Sequence, residues 1–207
     1  MCEQTTTSGR WPPRVLKEEV KFEKGVEVYS NLIINGKPAA ADASLANSGI
    51  SFKSSGELGS DLIDLFKPPI VAEFQFHKDA KLNGVPSSVY QFHLVAEKDT
   101  FFPLRSSSGT VLYPEYEGAI WLKSENGQLL RLELRSMHLP RGFEWISVEV
   151  IIDYSEVPIR DLGAFLLPSK SETNACTRRK CSTNVVVFED CRKFATRSRI
   201  LTDIPPN

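Results

Sequence analysis

Few side chains in this chain can do chemistry, and their spacing limits what they can do. A serine hydrolase presents its nucleophile on a sharp turn, usually within Gly-x-Ser-x-Gly, and no such string occurs. Ser106, Ser107 and Ser108 precede Gly109 and read as solvated linker. Cysteine catalysis needs a thiolate beside a histidine. Cys2, Cys176, Cys181 and Cys191 lie far along the chain from His77, His93 and His138, so only folding could pair them. Cys191 reads as a buried or half-buried strand residue. His77 and His93 flank the turn at Asn83-Gly84. On paired strands they would share a face with Glu73 or Gln75, but no third ligand is identified. Gly56-Glu57-Leu58-Gly59 opens a helix without the preceding parallel strand or the basic residue of a phosphate loop. Neighbouring carboxylates such as Glu18 and Glu19 point to opposite faces of a strand and cannot work as an acid–base pair. The expectation is a non-enzymatic protein with no catalytic residues, no metal and no cofactor.

Cys176 and Cys181 enclose Thr177-Arg178-Arg179-Lys180, a short polar loop between two strand-like stretches. A local disulfide closing that hairpin is the first choice. Two reduced thiols are the alternative, and the four-residue spacing with no nearby histidine argues against zinc. Four cysteines permit three full pairings, so the partners of Cys2 and Cys191 stay open.

The elements that must position these residues are mostly strands. Period two dominates. Val20 and Phe22 alternate with Glu19, Lys21 and Glu23, and Val26 and Val28 follow the turn at Lys24-Gly25. Leu32-Ile33-Ile34 runs into Asn35-Gly36, a tight-turn dipeptide. Residues 38–56 read as a loop. One helix stands out over residues 57–66, with Ser55 or Ser60 as cap, Glu57 and Asp61 at its positive end, and Pro68-Pro69 beyond it. Its apolar stripe is Leu58, Leu62, Leu65 and Phe66. Strands follow around Phe74 and Phe76, Tyr90 to Ala96, Ala119 to Lys123, Leu130 to Leu134, Ile146 to Ile152, Phe165 to Leu167, Val185 to Phe188 and Phe194 to Leu201. Residues 98–117 read as a long connection. Short turns between successive strands imply antiparallel neighbours. A sheet this wide with one wet face must curl. The expected architecture is mainly β (α+β): one large curved antiparallel meander, a half-barrel, with one short helix on its concave face. A closed up-and-down barrel is the alternative. Residues 1–207 are expected to form a single β-rich domain.

With 41% hydrophobic residues and a net charge of -1, the chain is an ordinary globular one, and attraction to nucleic acid through overall charge is excluded. No stretch reaches the about 20 apolar residues of a membrane span. Eight Lys or Arg lie between Lys170 and Arg199. They read first as the solvated face of the last strands, where they discourage edge-to-edge pairing. Met1-Cys2-Glu3-Gln4 has neither the basic start nor the apolar core of a signal peptide. The chain is therefore expected to be either cytoplasmic or the trimmed form of an exported protein, with a lipoprotein through Cys2 as a variant of the latter, and the trimmed form is preferred.

Several segments, taken in order, resemble a family of uncharacterised exported bacterial proteins found mostly in soil bacteria. They are Cys2-Glu3-Gln4-Thr5; Glu27 to Pro38; Ser54 to Gly59 leading to Leu62 through Phe66; Gly118 to Leu122 with Gly127 and Arg131-Leu132-Glu133; Asp153-Tyr154 with Leu166-Leu167-Pro168; and Arg192-Lys193-Phe194. At the level of strand pattern the chain is also similar to the lipoprotein carriers LolA and LolB, half-barrels with a helical lid. These resemblances imply a periplasmic or extracellular protein, with an oxidising compartment that favours the Cys176–Cys181 bridge. They also imply a hydrophobic groove for a lipid acyl chain, a lipoprotein or an apolar segment of a protein partner. The groove candidates are Leu62, Phe66, Phe74, Phe76, Phe92, Phe101, Phe102 and Trp121. Access would be controlled by the 57–66 helix and the 98–117 connection, with Phe101-Phe102-Pro103-Leu104 as a mobile lid or partner-binding tip. The alternative is a cavity-free, envelope-associated protein–protein interaction module.

Overall fold

The alternating segments pair into one sheet of eleven strands in a computed structural model that describes residues 1–8, 13–39, 54–66, 72–95, 102–160 and 162–193. In chain order the strands are β1 (Cys2–Ser8), β2 (Arg14–Glu23), β3 (Val26–Ile34), β4 (Lys37–Pro38), β5 (Gln75–Leu82), β6 (Val85–Leu94), β7 (Leu104–Arg105), β8 (Val111–Leu112), β9 (Glu115–Lys123), β10 (Leu129–Met137), β11 (Trp145–Ile159), β12 (Gly163–Thr177) and β13 (Cys181–Glu189). The helix α1 spans Ser60–Phe66. The sheet runs β4-β3-β2-β1-β13-β12-β11-β10-β9-β6-β5, and β7 and β8 form a separate small hairpin. All neighbours are antiparallel. Edges at β4 and β5 remain unpaired with each other, so the sheet is curved and open and the closed barrel is set aside.

The first and last strands of the sheet in sequence, β1 and β13, lie side by side in its interior, fourth and fifth from the β4 edge. Cys2 and Cys191 form a disulfide across this junction, 189 residues apart in sequence. Cys176 and Cys181 form the second, closing the β12–β13 turn. All four cysteines are therefore oxidised, which leaves no thiolate for cysteine catalysis.

Register decides which residues share the concave face. One cross-sheet row runs Phe76, Tyr90, Ile120, Leu132, Ile152, Ser171, Val186, Thr6 and Leu16. The next runs Phe92, Gly118, Leu134, Val150, Thr173, Asn184 and Ser8. Both rows are apolar from β6 to β11; beyond that the second is polar throughout, while the first alternates Ser171 and Thr6 with Val186 and Leu16. The main core lies on the apolar half, where Leu65 of α1 and Leu104 of β7 pack onto Phe92, Tyr116, Leu132, Leu134, Val150 and Ile152. Burial of these side chains is the chief stabilising term, at about 25 cal/mol per Å2. Gly118 is required there. A Cβ at this position would stand 2.4 Å from the Glu133 carbonyl oxygen and 2.4 Å from the Phe92 ring. A smaller core of Cys2, Val20, Leu58, Val186 and Phe188 closes the other end.

Described parts of two connections pack on this face. One leads from the β4 edge to the β5 edge and contains α1; the other joins β6 to β9 and contains β7–β8. Several sequence expectations change here. The helix begins at Ser60 rather than Glu57, because residues 57–59 form a turn. Residues 115–117, read as connection, belong to β9. Of the serine run, Ser107 and Ser108 are exposed as expected, but Ser106 is buried and its hydroxyl accepts from the Thr110 amide at 2.9 Å, closing the β7–β8 turn. Pro68-Pro69, Phe101, Arg197, Arg199 and the strand expected over 194–201 lie outside the described residues.

Candidate functional site

The site begins with Glu27 on β3. Its carboxylate accepts from the backbone amides of Gly56 at 2.9 Å, Gly59 at 3.0 Å and Ser60 at 3.4 Å, and from the Tyr29 hydroxyl. These are the orphan donors that any helix start must satisfy. The cap of α1 is thus a carboxylate on a distant strand rather than Ser55 or Ser60, and it ties the helix to the sheet. Burial, with Glu27 and Glu57 close by, drives the Tyr29 hydroxyl far above its ordinary pKa.

Behind this cap lies a buried acidic group that the sequence did not announce. Glu57 is 1% exposed and Asp61 6%. Burial raises the Asp61 carboxyl well above the usual range, and the neighbouring charges of Glu57, Glu27 and Asp64 push the same way. Asp61 Oδ2 is buried and has no hydrogen-bond partner among the described residues. Gly56 is held at φ +109, and a Cβ there would lie 2.2 Å from Asp61 Oδ1; the carboxylate occupies the space a side chain would need. The polar half of the sheet, with Gln4, Thr6, Ser171, Thr173 and Asn184 buried, continues this environment.

A cavity of about 480 Å3 opens where the two halves meet. Residues 54–64 supply Ser54, Ser60, Asp61 and Asp64; β3 supplies Glu27 and Tyr29. The β6–β9 connection supplies Phe102 to Arg105, and the sheet floor supplies Trp145, Val148, Thr173 and Ala175. Phe102 is pinned rather than loose: its carbonyl accepts from the Tyr116 hydroxyl at 2.7 Å, and the two rings meet edge to face at 5.8 Å. The Trp145 indole donates to the Arg105 carbonyl at 3.4 Å. Of the expected lid or partner-binding tip, Phe102, Pro103 and Leu104 form a wall of the cavity.

Several of the expected groove residues pack on one another, although Phe66 and Phe76 stay more than half exposed. Phe66 stacks on Phe74 at 5.4 Å, and Phe74 meets Phe92 at 5.3 Å. Phe92 belongs to the core and Leu62 packs against it. Phe76 pairs with Tyr90 at 5.7 Å near the β5 edge, exposed. Trp121 is corrected outright. It alternates with Ile120 and Leu122, which face the core, so it lies on the other face beside Val89 and Arg131. Of the eight groove candidates, Phe102 alone lines the cavity and Phe101 lies outside the described residues.

The histidines separate as well. His93 approaches Glu115 at 3.6 Å and His138 bonds the same carboxylate at 2.9 Å. The His138 hydrogen bond, aided by both imidazole charges, holds the Glu115 carboxyl below its usual range. His77 falls at a register break of β5 and takes no part, so the expected sharing of a face by His77 and His93 leads to no site. The C-terminal bases do not form one patch either: Arg178 to Lys180 sit at the β12–β13 turn, while Arg192, past the other end of β13, reaches Glu19 at 3.4 Å. Two residues of the recognised segments, Arg131 and Asp153, face each other on β10 and β11 in a two-pronged contact of 2.7 and 3.2 Å, a structural pairing.

No family model and no curated protein matches this chain. Among solved structures, the chain is similar to a LolA superfamily protein from Nitrosomonas europaea, at 10% identity and a TM-score of 0.48, over 91% of this chain and 83% of that one. It is also matched to the complex of MucA and MucB from Pseudomonas aeruginosa, at 11% identity and a TM-score of 0.20, over 91% of this chain and 88% of that one.

Proposed function

We propose that this protein is a non-enzymatic, exported binding protein that holds the apolar part of an amphiphile in the cavity between α1, the Phe102–Arg105 wall and the sheet. The single observation that carries this reading is the cavity itself. Its volume of about 480 Å3 falls within the roughly 300–1,000 Å3 of small-molecule sites. Phe102, Pro103, Leu104, Trp145, Val148 and Ala175 offer apolar walls. Binding would be driven by desolvation of apolar surface, at about 25 cal/mol per Å2, with no bond made or broken. The occupant is a lipid chain, free or on a lipoprotein, and the whole chain acts as one domain. The two disulfides support an oxidising compartment, periplasmic or extracellular. Among the described residues, no helix is long and apolar enough to cross a membrane.

Native mass spectrometry against a panel of single-chain amphiphiles tests this, with Ala175→Leu beside the natural chain. Ala175 is 2% exposed and lines the cavity, so leucine takes up ligand space. A complex formed by the natural chain and lost in the variant is expected. Equal binding by both, or none by either, overturns the reading. A second reading, an envelope-associated protein–protein interaction module, then takes its place. It rests on the β11–β12 ribbon, where Leu162, Phe165 and Leu166 are exposed beyond the strands that flank it.

A further inference from the structure

The chemistry of the ligand's polar end can be read from the cavity wall, given the binding role proposed above. Three residues that line this space each carry a buried polar atom without a hydrogen-bond partner among the described residues: Asp61 Oδ2, Thr173 Oγ1 and Ser54 Oγ. These residues are 6%, 2% and 8% exposed. A native fold rarely leaves buried polar atoms without partners, and a cluster of them calls for one to be supplied. The Asp61 carboxyl, held towards its neutral form by burial and the acids around it, becomes an acceptor once ionised, the form that an ammonium beside it favours, while the two hydroxyls can adapt to either role.

Charge selects the kind of partner. Glu27 and Asp64 also line the cavity, and Arg105, exposed on β7, is the one base among the lining residues. Glu27 already receives three backbone amides and the Tyr29 hydroxyl, so it adds negative potential more than a vacant acceptor. Glu57, 1% exposed, adds to the same field at Asp61. A carboxylate or phosphate head would add like charge to this set, whereas an ammonium brings a compensating charge and three donors.

We propose that the cavity takes an amphiphile with a cationic, hydrogen-bond-donating head, its ammonium against Asp61, Ser54 and Thr173 and its chain against Leu104, Trp145 and Val148. Single-chain amines of lipid type are the ligand class, and anionic fatty acids are the class disfavoured.

The test uses the full chain with both disulfides intact and three probes of equal chain length, dodecylammonium, dodecanol and dodecanoate, the two ions below their micelle concentrations and the alcohol below its solubility limit. Affinities are measured by calorimetry at pH 7 for the natural chain, Asp61→Asn and Ala175→Leu. The expected result is dodecylammonium at least tenfold tighter than dodecanol, with dodecanoate weakest. Asp61→Asn should bring ammonium and alcohol within about threefold of each other. Ala175→Leu should weaken all three, which separates cavity binding from attraction to the surface. Dodecanoate or dodecanol binding as tightly as the amine overturns the head-group assignment and leaves the binding role standing. So does a preference for the amine that survives Asp61→Asn. Absence of binding by all three overturns both. Should Asp61→Asn fail to fold, the head-group ranking in the natural chain decides alone.

Discussion

Asp61 offers the sharpest test of the buried acidic group. Its folded-state pKa stands well above the ordinary value because burial and the charges of Glu57, Glu27 and Asp64 disfavour the ionised form. Other titratable groups in this surrounding are the hydroxyls of Tyr29 on β3, Tyr116 on β9 and Tyr154 on β11, all raised by burial and neighbouring acids. The sign follows from proton counting. Once the pH passes the unfolded pKa, about 3.9, the unfolded chain has released this proton and the folded chain still holds it. Asp61 therefore makes the protein less stable as pH rises through the window between its unfolded and folded pKa values. The slope inside that window approaches about 1.4 kcal/mol per pH unit, or about 3–6 °C in Tm for a chain of this size. Exposed carboxylates contribute their own pH dependence, so the useful quantity is the difference between the natural chain and Asp61→Asn. Urea unfolding of both from pH 4 to pH 8, with disulfides intact, should show Asp61→Asn gaining on the natural chain as pH rises. A flat difference would refute the reasoning. A natural chain that gains on the variant with rising pH, as an ion-paired aspartate would make it, would refute it too.

Two further predictions concern the frame. Removing the Cys2–Cys191 bridge, which spans 189 residues, should cost about 5 kcal/mol in the chain-entropy treatment. Removing the Cys176–Cys181 bridge, with a separation of 5, should cost about 2 kcal/mol; denaturant midpoints of the two double-serine variants check the order. Gly118→Ala should lower stability by about 1–3 kcal/mol, since its Cβ meets a carbonyl oxygen that cannot swing away; a thermal melt unchanged from the natural chain would contradict the packing described at Phe92.

How much of this was legible depends on whether a segment has one apolar face. β2, β10, β11 and the second half of β6 alternate apolar with polar residues, so period two betrays them, and β9 and β13 show as short apolar runs. β1 and the second half of β12 do neither. Thr5, Thr6 and Thr7, and Ser171, Glu172 and Thr173, are polar on both faces, though Thr6, Ser171 and Thr173 are buried. Their concealment follows from what they cover: they line the polar half of the concave face, where burial is shared with Gln4, Asn184 and Glu18 rather than with an apolar core.

The same distinction separates what the chain declares from what folding decides. Alternation, turn dipeptides and one amphipathic stretch were enough to imply a curved antiparallel sheet with a helix against it, because these signals act between near neighbours in sequence. The Cys176–Cys181 hairpin was open to inspection for the same reason. The site was not. Glu27 caps a helix 29 to 33 residues further on, and Cys2 meets Cys191 because β1 and β13 pair in the interior of the sheet. Asp61, read locally, is a residue that favours a helix start; only the closing of that helix over the polar strands removes its carboxylate from water and places it on the cavity wall. Burial and charge proximity are sums over residues distant in sequence, and the tertiary fold alone determines them.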